Sequence, residues 1–489
     1  MIRVEVLVIG AGISGVCAAI RLLRAGITDF VVLEKAASLG GTWRDNVYPG
    51  CACDVPSALY SYSFAQKHDW SQAFAGQREI LEYVRDTAAR FGVMPYLRFD
   101  ADVESAAWSE PLQRWIVTTK AGVYHARAVI SCAGYLHEPS IPALPGLDDF
   151  PGTLFHSSRW RRDHDLTGER VAVIGTGASA IQFVPEIQPR VERLHVFQRS
   201  PQWILPKPDH TLSDLEKGLF RSPAALNAWR SALYGTLETF GIGFRRPRLL
   251  KAFQRIALRH LARAVADPAL RAALTPDYVL GCKRVLLSNE YYPALTQPNV
   301  EVLATGVRAL RGNVVIGSDG REREVDTIVL STGFHVSDPP IAPRIRGTDG
   351  RSLAEIWSGS PEAYRGTTIT GFPNLFFVLG PNLAIGHNSA FIIIEAQLDY
   401  VLSALTTMRS LGLGRVEVRS GAQEAYNAEV QRDLQGTVWN TGGCSSYYLD
   451  ANGRNSIGFP WSTMRMRGLL REIDLGSYAT EPVRAEADR

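Results

Sequence analysis

The sequence predicts an α/β protein built from two Rossmann-like dinucleotide-binding domains, the second interrupted by a helical insertion. Three observations predict it. Two glycine turns stand 165 residues apart, each follows a short β-branched run, and each opens into a helical pattern. The first turn is Gly10, Gly12, Ser14 and Gly15 after VEVLVIG; the second is Gly175, Gly177, Ser179 and Ala180 after RVAVIG. Glycine lets the backbone turn tightly and approach a pyrophosphate, whose charge then rests on the amides of a helix N-terminus.

The elements follow in order. Residues 1–140 alternate strand-like and helical segments and close on ARAVISCAGYL, a strand running into a small-residue turn. Proline-rich HEPSIPALPG (137–146) reads as a linker, because prolines lack the N–H that a ladder needs. The second unit starts near residue 150. A long stretch at about 207–278 has apolar residues at three- and four-residue intervals and is expected to form the amphipathic insertion, its Arg-rich face solvated. NVEVLATGVRAL, NVVIGSDG and EVDTIVLSTGF complete that unit, and after Gly333 the chain is expected to return to the first sheet through NLFFVLGP. The domain boundaries expected are thus 1–149 with 336–489, and 150–335. The tail from about 478 is expected to be frayed.

The charge beyond each turn separates the two nucleotides. Nineteen positions after Gly15 stands Glu34, suited to ribose hydroxyls and repelling a 2′-phosphate; nineteen after Ala180 stands Arg199, suited to a 2′-phosphate. The sign reversal assigns FAD to the first unit and NADPH to the second.

With 46% apolar and 21% charged residues the chain builds two or three real cores, and a net charge of only +3 gives no reason to invoke nucleic acid. No N-terminal stretch resembles a signal peptide, and the longest apolar run, AFIIIEA, is too short to span a bilayer. The six cysteines have neither zinc-ligand spacing nor a disulfide framework, so a cytoplasmic protein with reduced thiols and no metal is expected. The Cys51–Cys53 pair reads as small filler, since side chains two apart with one residue between them in an extended segment need not meet. Nothing in the sequence signals an oligomeric state.

Two motifs carry a family resemblance. Phe150, Gly152, His156 and Trp160 in FPGTLFHSSRW resemble the fingerprint of Baeyer–Villiger monooxygenases, class B flavoproteins; Arg161 departs from the Pro or Asp usual next. Gly40, Gly41, Thr42, Trp43, Tyr48, Pro49, Gly50 and Asp54 resemble the pattern GGxWxxxxYPGxxxD of the same family. Similarity continues through GCKR, STGFH, GPNLAIGHNS and WNTGGCSSYYLDANGRN, nearly the whole chain. The resemblance implies NADPH reducing FAD, a C4a-peroxyflavin formed with O2, and insertion of oxygen beside a ketone carbonyl to give an ester or lactone, with sulfoxidation alongside. It makes Arg284 the cation that holds the anionic peroxide and Asp54 its partner. FAD candidates are Gly10, Gly12, Ser14, Gly15, Glu34, Lys35, Gly41, Thr42, Trp43, Asp54, Tyr60, Val103 and Asn388. NADPH candidates are Gly175, Gly177, Ser179, Ala180, Arg199, Ser200, Lys283 and Arg284. The fingerprint residues are expected to couple domain movement to cofactor state rather than to react. Tyr447 stands where many members have Trp, and Tyr60, Tyr447, Phe459 and Trp461 suggest an apolar ketone. The competing readings are an N- or S-oxygenating flavin monooxygenase and a non-catalytic NADPH/FAD sensor.

Overall fold

In the computed structural model, which describes residues 1–484, the strand Ile2–Ile9 is the axis of the first sheet. It pairs in parallel with Phe30–Leu33 on one side and with Gly122–Ser131 on the other. Its inner residues are buried on both faces, which is why they read as a near-continuous apolar run. The long strand Gly122–Ser131 is shared along its other edge. Its first half takes Arg114–Thr119 antiparallel, and its last residues take Leu375–Phe377 in parallel. The returning segment NLFFVLGP is therefore a strand of the first sheet.

Residues 97–131 contain strands and no helix, which corrects the expected alternation there. Val103–Ser109, Arg114–Thr119 and Gly122–Ser131 form an antiparallel meander, with strict in–out burial along RWIVTT. The second sheet repeats the plan. Its five strands are all parallel, in the order Val300–Leu303, Arg193–Phe197, Arg170–Ile174, Thr327–Leu330, Thr153–His156. A second meander, Val307–Arg311, Val314–Gly317 and Glu322–Glu324, stands beside it. Each glycine turn thus lies at the carboxyl end of a central strand, where open α/β sheets place their ligands.

The insertion consists of Asp214–Phe220, Pro223–Arg245, Lys251–Ala264 and Pro268–Ala273, set between the short paired strands Ile204–Leu205 and Leu286–Leu287. Ser213 and Glu216 close a capping box at its start, and Phe240 packs edge-on against Phe244 and Phe253 inside it.

Three expectations change. AFIIIEA belongs to the helix Ala390–Ser410, whose 21 residues are long and apolar enough to cross a membrane. It is packed against Ile13–Arg24, and its buried Gln397 bonds the Leu379 amide and the carbonyls of Gly366 and Phe377, so it is the core helix of the first unit. The tail pairs as Tyr478–Pro482 with Leu413–Val418 rather than fraying; residues 485–489 lie outside the described residues. Cys282 and Cys444 form a disulfide, so two of the six thiols expected to be reduced are joined. Their Cα atoms are 6.1 Å apart, and Gly442 makes the approach possible: a Cβ there would lie 2.5 Å from that of Cys282. Cys17, Cys51, Cys53 and Cys132 are free.

Candidate active site

The first glycine turn is shaped by two demands. Gly10 has φ +98°, and a Cβ there would lie 2.6 Å from the Cys132 carbonyl oxygen; one on Gly15 would lie 1.8 Å from the oxygen of Gly10. The protein itself requires those two glycines. Gly12 is different, with only Gly41 Cα, 3.7 Å away, near its missing Cβ. Gly12 begins the helix Ile13–Arg24, which has neither a side-chain cap nor an acidic residue in its first turn. A glycine-lined cradle over uncapped amides fits a pyrophosphate. Glu34 is buried at the turn: Oε2 accepts from the Ala11 amide at 2.9 Å, and Oε1 accepts from the Ala36 amide at 3.0 Å and Arg44 Nη1 at 2.9 Å. Ser14 is buried, and Thr42 is exposed.

Trp43, Tyr60 and Phe391 are linked through side chains. Trp43 Nε1 donates to the Tyr60 hydroxyl at 3.0 Å, and Tyr60 meets Phe391 edge-on at 4.9 Å, three residues after buried Asn388. Two further candidates are held by protein partners. Lys35 pairs with Glu138 of the linker, and Val103 is buried in the sheet, with its carbonyl accepting from Arg344 Nη1 at 2.8 Å.

The second turn repeats the division of labour. A Cβ on Gly175 (φ +104°) would lie 2.3 Å from the Ser331 carbonyl oxygen, whereas one on Gly177 would meet nothing within 4 Å. Ala180 is fully buried at the start of Ala180–Ile187; Ser179 precedes it without capping the helix. Arg199 is exposed, and Lys283 Nζ donates to Ser200 Oγ. Burial and the neighbouring charge of Arg199 lower the Lys283 pKa. Two cations close enough to feel one another fit an anion such as a 2′-phosphate.

Arg284 and Asp54 join the two units. Arg284 Nη2 donates to Oδ1 at 2.9 Å and Oδ2 at 2.8 Å, and Nε donates to Oδ2 at 3.1 Å. The Asp54 charge raises the Arg284 pKa above arginine's ordinary value despite burial, so the guanidinium is permanently charged. Tyr447, 44% exposed, stacks on buried Tyr448 at 4.7 Å beside it. Tyr448 gave no sequence signal of its own. Phe459 and Trp461 belong to the core: they pack edge to face, and Trp461 Nε1 donates to Asp433 at 2.7 Å.

The fingerprint lies at the seam. Trp160 packs against Phe155 and Phe183, and Phe183 also meets Tyr48. Gln182, beside Phe183, accepts from the Tyr48 hydroxyl at 3.0 Å and donates to the Ala52 carbonyl at 3.0 Å, so both motifs grip one helix. A Cβ on Gly152 would lie 2.1 Å from the Asp326 oxygen and 2.8 Å from the Phe150 ring. His156 is buried and bonds Ser158, and burial lowers its pKa to about 4, so it is neutral.

Residues 3–211 match the family model FMO-like, flavin-binding monooxygenase-like. A Baeyer–Villiger monooxygenase of Streptomyces coelicolor is 51% identical over 480 residues, 97% of this chain and 92% of that one. The chain belongs to the Baeyer–Villiger monooxygenases. A second Baeyer–Villiger monooxygenase, from Pseudomonas aeruginosa, is 47% identical over 98% of this chain and 92% of its own. The closed crystal structure of cyclohexanone monooxygenase superposes with TM-score 0.87 at 27% identity, covering 99% of this chain and 100% of the other. Oxidized steroid monooxygenase bound to NADP superposes with TM-score 0.86 at 29% identity, covering 98% and 99%. This Baeyer–Villiger monooxygenase is therefore an FAD- and NADPH-dependent enzyme with two dinucleotide-binding domains and a helical insertion.

Proposed function

We propose that the Arg284–Asp54 pair is the reacting centre, where an apolar ketone, and also sulfides, are oxidised. The observation that carries this reading is a permanently charged guanidinium held bidentate across the seam between the two nucleotide units. In this reading residues 1–149 and those from 336 onward hold FAD, and residues 150–335 hold NADPH. The bound cofactors supply hydride transfer and oxygen activation. The overall balance is ketone, O2, NADPH and one proton giving ester, NADP+ and water.

The chain's own residues then have distinct tasks. Arg284 offers N–H donors and positive charge to the oxyanion that develops as the ketone carbonyl becomes tetrahedral. Asp54 fixes the guanidinium plane, so those donors need no reorganisation during reaction. Gly12 and Gly177 leave their turns open to the two pyrophosphates, and Glu34 faces the ribose of the first nucleotide. Arg199, Ser200 and Lys283 receive the 2′-phosphate of the second. His156 is neutral and hydrogen-bonded within its own turn, and with Trp160 it serves the seam rather than the chemistry.

The same reading has the enzyme act in the cytoplasm on a small molecule, with no nucleic-acid partner. An Arg284→Met variant loaded with FAD tests it. Ester formation should fall about 100-fold or more, as when one preorganised oxyanion donor is lost, while FAD remains bound. Unchanged ester formation would remove Arg284 from the centre.

A further inference from the structure

One carboxylate outside these assignments ties the helical insertion to the flavin unit. Glu238 lies in Pro223–Arg245 with its side chain 15% exposed. Its Oε1 accepts from His387 Nε2 at 2.9 Å, Asn388 Nδ2 at 3.3 Å and Thr463 Oγ1 at 2.6 Å; Oε2 accepts from the Thr463 amide at 3.4 Å. Burial pushes the Glu238 pKa up, but the bonds from His387 and Thr463 outweigh burial and hold it at about 2. The carboxylate is therefore ionised at any working pH.

The helix is built to admit the histidine ring. A Cβ on Gly241, one turn along, would lie 2.5 Å from His387 Nε2. Glycine inside a helix is unfavourable relative to alanine, and here it creates the space that the ring fills. From the ring, a path of chain connections and side-chain contacts runs to the first glycine turn. Residues 386–389 lead into Ala390–Ser410, whose Phe391 packs on Tyr60; Tyr60 bonds Trp43, which follows Gly41, opposite Gly12.

We infer that Glu238 is a positioning residue for the flavin site, supplied by the insertion. By holding His387 and Asn388 it sets the path of residues 386–389 and the start of the helix that follows. The inference rests on the reading that Asn388 belongs to the FAD site. It gives the insertion a role in FAD binding, although its helices belong to the unit assigned to NADPH.

Three variants of the full-length enzyme test it by FAD titration and by the visible spectrum of the bound flavin. Glu238→Gln keeps the shape and removes the charge. Gly241→Ala keeps the charge, displaces the ring and favours the helix. Tyr234→Phe removes only the hydroxyl that bonds Thr463 Oγ1 at 2.6 Å. Glu238→Gln and Gly241→Ala should each weaken FAD about tenfold, the 1.4 kcal/mol scale of one lost polar contact, and shift the flavin bands. Tyr234→Phe should stay within twofold. If Glu238→Gln fails to fold, Gly241→Ala decides alone. FAD affinity and spectrum unchanged in a folded Glu238→Gln or in Gly241→Ala, or lowered equally in Tyr234→Phe, would overturn the inference. Ester formation by the wild-type enzyme is assayed in parallel; its absence would overturn the reading of the reacting centre instead.

Discussion

The pairing of Arg284 with Asp54 was legible because each sits inside a motif that resembles the family's, GCKR and the pattern ending YPGxxxD. Glu238 was not legible, since a glutamate within an amphipathic helix looks like any solvated acid until its partners are known. Lys283 lies between these cases. The GCKR motif marked it, but only the fold shows it bonded to Ser200 and lowered by burial and by Arg199. Charged hydrogen bonds are worth about 1.5–3 kcal/mol, so Lys283→Ala should raise the KM for NADPH about tenfold or more. The KM for NADH, which has no 2′-phosphate, should change little. Steady-state kinetics with both nucleotides checks this. Asp54→Asn keeps a hydrogen-bonding partner but removes the charge that orients Arg284. It should lower the ratio of ester formed to NADPH consumed, with hydrogen peroxide making up the difference.

At the scale of elements, the glycine turns and the insertion were legible because each breaks or sustains a strong periodicity. The meanders were not. Outer strands such as Val103–Ser109 and Glu322–Glu324 are part-exposed and carry Glu, Ser and Arg, so neither shows the apolar run that marks a buried strand. The tail strand Tyr478–Pro482 was hidden because its partner, Leu413–Val418, lies far back along the chain. The turns separate fold from ligand binding. Gly15→Ala puts a Cβ 1.8 Å from a backbone oxygen and should prevent folding; Gly177→Ala meets nothing within 4 Å. Thermal melts should show Gly177→Ala as stable as wild type without ligand, and titration should show weakened NADPH binding. A pH effect belongs here too. Bonds from Arg323 and His195 outweigh burial and hold Glu301 at about 2, on the strand Val300–Leu303. A carboxyl lowered on folding contributes stability above its ordinary value near 4.5, and that contribution is lost as pH falls from there toward 2. Glu301→Gln should flatten the melting temperature against pH across that window.

For the whole molecule, the two-unit plan was legible from the paired turns. The disulfide between Cys282 and Cys444 was not, because its partners stand 162 residues apart with nothing local to link them. It ties the Arg284 segment to the segment that carries Tyr447 and Tyr448. Thiol titration of unfolded, unreduced protein should count four free thiols, and six after reduction. Replacing both cysteines should cost about 2–4 kcal/mol in denaturant melts.

The most direct measurement follows the oxygen. FAD-loaded enzyme is given NADPH, a small apolar ketone and 18O2, and the product is analysed by mass spectrometry. One 18O atom per ester, with one NADPH consumed per ester, is the predicted result. NADPH consumption with the ketone recovered unchanged and the label found only in hydrogen peroxide would contradict it.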